Sequence, residues 1–150
     1  MPRLGNAFPP EMRRAFVLER LVSGCVIRIQ VKFPQKTKPK FLVLIAEDDS
    51  EYWYFIANSE IHPFIRNREH LYRSQVAIDA ASHTFLTHDS YLACHEIVKL
   101  RREEVIQELI SDMSSFKGNV TAEIREQILA AIKSATTLTA SEKRQILLFL

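Results

Sequence analysis

Cys25-Val26-Ile27-Arg28-Ile29-Gln30-Val31-Lys32-Phe33, followed after a break by Phe41-Leu42-Val43-Leu44-Ile45, is the stretch on which the fold turns. In the first segment Ile27, Ile29, Val31 and Phe33 share one face, and Arg28, Gln30 and Lys32 share the other. Alternation with β-branched side chains predicts a half-buried strand. Pro34 ends it. The second segment is apolar without alternation, which predicts a central strand covered on both faces. Between them Gln35 to Lys40 reads as a polar, basic loop.

Downstream, Glu47 to Glu51 is an acidic turn, and Tyr52 to Ala57 is the next strand, hairpin-paired with the previous one. Asn58-Ser59-Glu60 ends it. A longer connection runs through His62-Pro63 and Asn67 to His70. Gln75 to Ile78 is a short strand, Asp79 to Asp89 a loop, and Tyr91 to Cys94 a further strand with Ile97-Val98 following. Upstream, Pro9-Pro10 precedes an amphipathic helix over Glu11 to Val22, closed by Ser23-Gly24. After Leu100 the period becomes helical, with Val105, Ile106, Leu109, Ile110 and Met113 at three- and four-residue steps. Ser114 to Gly118 reads as a turn. Thr121 is placed to cap a helix carrying Ile124, Ile128, Leu129 and Ile132. Thr139 and Glu142 have capping-box spacing and open a last helix.

The order is helix, about five short strands, then helices. It predicts an α+β, mainly β chain whose meander curls into a small barrel; an open sheet with helices on one face is the alternative. The 150 residues fit one domain, 1–150. Within it, 1–23 are a leader and helix, 24–100 the β core, and 101–150 the C-terminal helices. The formal net charge of +2 is too mild to predict nucleic-acid binding from the whole chain, so any such contact needs a local basic patch. The two cysteines, Cys25 and Cys94, lack metal-motif spacing and read as reduced core thiols. The polar, proline-bearing segment Met1 to Pro10 has no signal-peptide pattern, and no apolar stretch approaches a bilayer span. A cytoplasmic location without a membrane partner is expected. No cofactor motif is present.

Several segments, in order, resemble the MazF/PemK toxin family. They are Gly24-Cys25-Val26-Ile27, Lys38-Pro39-Lys40 before the apolar strand, Ile56-Ala57-Asn58-Ser59, His88-Asp89-Ser90-Tyr91 with Glu96-Ile97, and Lys117-Gly118-Asn119-Val120-Thr121. The resemblance spans roughly Gly24 to Ile132. It implies an SH3-like barrel, metal-independent cleavage of single-stranded RNA, a homodimer and an antitoxin partner. The chain departs from the family at its chemistry. Lys38 stands where an Arg is expected, Asn58 or Ser59 where a Thr is, and Ala93 where the later strand carries Arg. The catalytic set is therefore degenerate, and a non-catalytic module binding a protein or nucleic acid is the alternative.

Metal-free RNA cleavage needs a base for the 2′-OH, an acid for the leaving 5′-oxygen, and a donor or cation at the phosphorane. In that scheme Lys38 supplies charge, Asn58 and Ser59 donate hydrogen bonds, and His95 is the base or acid. Substrate binding falls to Arg28, Lys32, Lys36 and Lys40, with Trp53 and Tyr52 stacking on unpaired bases. Plainer readings stand beside these. The lysines also suit a solvated loop, and Trp53 with Phe55 suits the core. His83 and His88 lack a zinc spacing. His88-Asp89-Ser90 suits a turn better than a triad. The five apolar residues Ile146 to Leu150 cannot share one narrow helix face, so the last helix is expected to pack deeply or, the favoured reading, to dock on a second copy or another protein.

Overall fold

The structure is a computed structural model and describes residues 9–150; the leader Met1–Phe8 lies outside them. The architecture is mixed α+β, with a curled antiparallel half-barrel sheet and helices at both ends of the chain. Helix α1 is Pro10–Arg20. Strands β1 (Cys25–Lys32), β2 (Thr37–Glu47) and β3 (Glu51–Asn58) form a meander. Two single-turn helices, α2 (Pro63–Arg66) and α3 (Glu69–Tyr72), fill what reads from sequence as a bare connection. Strands β4 (Gln75–Ile78), β5 (Ser90–Ala93) and β6 (Val98–Arg101) follow, then helix α4 (Arg102–Ser111). A short strand β7 (Phe116–Asn119) precedes helices α5 (Ala122–Ser134) and α6 (Ala140–Phe149).

The sheet order is β4-β5-β3-β2-β1-β7, with β6 also on β3. Strand β3 is shared: Ala57 and Asn58 pair with β5, while Glu51 to Tyr54 pair with β6. The segment expected as one strand with a tail is thus two strands joined by the turn Cys94–Ile97. The expected turn at Ser114–Gly118 is instead a single 3-10 turn and β7, which returns from the helical region to pair with β1.

The apolar run in β2 is covered on both faces, as its lack of alternation requires. Leu42 and Leu44 join Ile27, Ile29, Val31, Tyr52 and Tyr54 in a core sealed by Val17 of α1 and by Val105, Ile106 and Leu109 of α4. Val43 and Ile45 face the other way, with Phe55, Leu92 and Cys94, onto Ile124, Ile128 and Ile132 of α5 and Ile146 of α6. Both cysteines are free and buried, and burial pushes the Cys25 thiol up to about 12. The two expected caps form. Thr121 Oγ1 accepts from Ile124 N at 3.3 Å, and Thr139 with Glu142 makes the reciprocal box. Of the apolar C-terminus, Ile146 is buried in the chain's own core while Leu148 is 87% exposed, so the helix end packs along one side only.

Asp48 holds the β2–β3 turn. Its Oδ1 accepts from the backbone N–H groups of Ser50 and Glu51 at 2.9 and 2.7 Å, and its Oδ2 from Trp53 Nε1 at 3.0 Å. The Ser50 bond leads in holding its carboxyl below the usual value, with Glu51 and Trp53 adding and burial opposing. A depressed folded-state pKa contributes stability above the unfolded carboxylate value of about 3.9, and that stability is lost as pH falls through the folded value. Asp48→Asn turns an amide N–H toward the Trp53 N–H, so it should cost on the order of 1 kcal/mol at pH 7. Urea titrations should show that gap closing as pH falls from the unfolded carboxylate value through the lower folded one, where the wild-type carboxyl protonates.

Candidate binding cleft

The sheet face that carries the α1/α4 core runs on past its helical cover. Along β2 the residues of that face are Lys36 at the turn, then Lys38, Lys40, Leu42 and Leu44. The leucines lie under α4, and the lysines lie beyond it. Strand β1 supplies Ile29 opposite Lys40 and Val31 opposite Lys38. The chain turns through Pro34-Gln35 alone, with Phe33 and Lys36 exchanging backbone bonds of 2.7 and 3.3 Å. The basic "loop" expected from sequence is therefore mostly strand, and Lys38 and Lys40 sit on a rigid ladder. Pro39 is tolerated there because the β2–β3 register begins at Phe41, leaving β1 as its paired neighbour.

A cleft of about 700 Å³ opens at this end of the face. Its floor is apolar, with Val31, Phe33, Ile56, Ile65, Ala93 and Val98. Its polar rim carries Lys32, Lys36, Lys38 and Lys40, with Asn58, His95 and Glu96. Four ammonium groups against one carboxylate give the rim a positive balance. Burial, then the neighbouring charges of Lys38 and Lys36, lowers the Lys40 pKa. Lys40 Nζ donates to Asn58 Oδ1 at 2.9 Å.

His95 lies in the β5–β6 turn, half-buried. Thr137 Oγ1 donates to its backbone carbonyl at 2.6 Å, tying the turn to the α5–α6 loop. Its ring Nδ1 is 3.0 Å from Gln75 Nε2, which also donates to Leu71 O at 3.1 Å. Burial lowers the His95 pKa, Glu96 opposes this, and His70 adds to it. The net shift favours the uncharged ring.

The structure thus brings together Lys32, Lys36, Lys38, Lys40, Asn58 and His95 out of the residues singled out from sequence. Ser59 is exposed just past β3 and does not line the cleft. Arg28 points from β1 toward the Phe41 ring at 5.6 Å and borders a different depression with Gln30 and Pro39. Trp53 is a correction. It is 7% exposed, bonded to Asp48, with Lys99 Nζ 4.2 Å over its ring, so it offers no face to a base. Tyr52 is 1% exposed and is excluded in the same way. Gln75 and Ile65 escape a sequence reading because their relevance comes from contacts between distant segments.

His83 is buried within the α5 core region. Its Nδ1 lies 2.9 Å from Asp79 O, and its Nε2 accepts from Thr121 N at 3.3 Å, fastening the start of α5. Among the described residues no group of three or more His, Cys, Asp or Glu is placed to hold a metal ion, and no helix is long and apolar enough to cross a membrane. No protein-family model matches this chain, and neither does any curated protein sequence.

Proposed function

We propose that this chain binds the phosphate backbone of single-stranded RNA in the basic cleft, on a scaffold akin to the MazF/PemK barrel. The observation that supports it is the convergence of Lys32, Lys36, Lys38, Lys40, Asn58 and His95 above an apolar floor. Lysines along a strand at every second residue match repeated negative charge. The floor of Phe33, Ile56 and Ile65 suits the face of an unpaired base, which a duplex keeps stacked inside. A volume near 700 Å³ is that of a small-molecule site, enough to seat a nucleotide within a longer strand.

Binding without turnover is the reading the geometry favours. Asn58 Oδ1 is occupied by Lys40, His95 Nδ1 faces Gln75, and among the described residues no second imidazole or buried carboxyl lines the cleft to complete an acid–base pair. The ribonuclease reading draws support from one fact: Lys38, Asn58 and His95, three of the four residues nominated for catalysis, line one cleft, while Ser59 does not. In that reading a second copy and an antitoxin protein are the partners, and the site of action is the cytoplasm.

One experiment separates the readings. Purified protein is titrated into a labelled ten-nucleotide RNA in EDTA, and the same mixtures are run on a gel. Salt-sensitive binding with intact RNA is the expected result. Fragments ending in cyclic phosphate, lost in both Lys38→Ala and His95→Ala, would establish the ribonuclease. No binding at low salt would remove both.

A further inference from the structure

We infer that Gln75 is a positioning residue that sets the tautomer of His95, so that the ring carries its proton on Nε2 and serves the cleft as a neutral hydrogen-bond donor. Leu71 fixes which way the Gln75 amide faces. Its backbone carbonyl can only accept, and Gln75 Nε2 stands 3.1 Å from it. Turning the amide over would set carbonyl against carbonyl, so the amide orientation is decided by the helix end behind it. The second hydrogen on that nitrogen points to His95 Nδ1 at 3.0 Å. An amide N–H can be received only by an unprotonated ring nitrogen. The single proton of a neutral imidazole then resides on Nε2.

The parts are held in place independently of any ligand. Gln75 opens β4 and pairs with Ala93 of β5, two residues before His95. Cys94 N donates to Ser74 O at 3.0 Å, and Thr137 holds the His95 carbonyl, so the turn is tied on both sides. The groups that bear on the ring charge are Glu96 beside it and His70 on α3, with the lysines of the cleft on the same rim. Burial lowers the pKa of the ring and so favours its uncharged form. The functional sense rests on the RNA-binding reading: the lysines attract the phosphate, and a fixed N–H gives it direction. A ring in this tautomer cannot take a 2′-OH proton at Nε2, which accounts for a cleft that binds without cleaving.

The test is long-range ¹H–¹⁵N NMR on histidine-labelled protein, with affinity for a ten-nucleotide RNA measured in parallel. Wild-type His95 should show the Nε2–H pattern at pH 7.5. Gln75→Leu should bring in the Nδ1–H form, with RNA affinity about 3–10-fold weaker, the effect of losing one oriented hydrogen bond. Gln75→Glu should raise the His95 pKa by about one unit or more, because a carboxylate stabilises the doubly protonated ring. In a His95→Gln background, whose amide donates without a tautomer, Gln75→Leu should change affinity less than twofold. An Nδ1–H pattern in the wild type, or no change of pattern in Gln75→Leu, overturns the assignment. The expected tautomers without RNA binding by the wild type would support the positioning role and sink the RNA reading alone.

Discussion

Replacing Lys32, Lys36, Lys38 and Lys40 together with glutamine should weaken single-stranded RNA binding by about 100-fold near 0.1 M salt. Exposed ionic contacts are worth up to about 1 kcal/mol each, and four of them reach roughly 3 kcal/mol. The diagnostic quantity is the salt dependence. Each phosphate neutralised on a single strand contributes about −0.7 to the slope of log K against log salt, so four lysines account for nearly −3. Anisotropy titrations across salt should show this slope flatten toward zero in the fourfold variant. Glutamine is the right replacement because it retains an amide donor for Asn58 where Lys40 now donates. The variant should keep its fold, since Lys32 and Lys36 are exposed and Lys38 is half-exposed. An unchanged slope would mean that the phosphates lie elsewhere, with Arg28 and Lys117 of the neighbouring depression the next place to look.

The second large effect belongs to the opposite face of the sheet. Phe55→Ala should cost about 3–5 kcal/mol, a large share of a typical domain's stability. Phe55 is fully buried on β3, opposite Val43, in the core shared with α5. Its neighbours on the strand are fixed by ladders on both sides, because β2 flanks β3 on one edge and β5 and β6 on the other. The backbone therefore cannot collapse into the space left by the ring. Phe55→Leu retains most of the volume and should cost about 1 kcal/mol. Urea denaturation tests both, with an unchanged m-value indicating a packing loss in the native state. A loss below 1 kcal/mol for the alanine variant would show that α5 can settle inward after all.

The sheet was legible where local pattern and final environment agree. Phe41–Ile45 lacks alternation because helices cover both faces of β2, and the caps at Thr121 and Thr139 are local chemistry read correctly from spacing. The lysine stretch misleads for an instructive reason. Lys36, Lys38 and Lys40 already repeat at every second residue, but a strand that outruns its covering helices has no apolar face to announce it. Strand β7, Phe-Lys-Gly-Asn, has little strand propensity of its own and exists because β1 offers an edge to pair with. Trp53 reads more readily as core than as a base platform, and its burial and bond to Asp48 agree with the core. Of the cleft, the residue types were visible and their convergence was not, since Gln75 and His95 meet only through the pairing of β4 with β5.

The tight Pro34-Gln35 turn gives the cleft a property that a floppy basic loop would lack. Holding ammonium groups side by side on a stiff hairpin stores mutual repulsion, which adds to the effect of burial in lowering the Lys40 pKa. A polyanion that settles among them discharges that tension, so heat resistance should climb with its concentration, and the hairpin should be the part most steadied by its arrival.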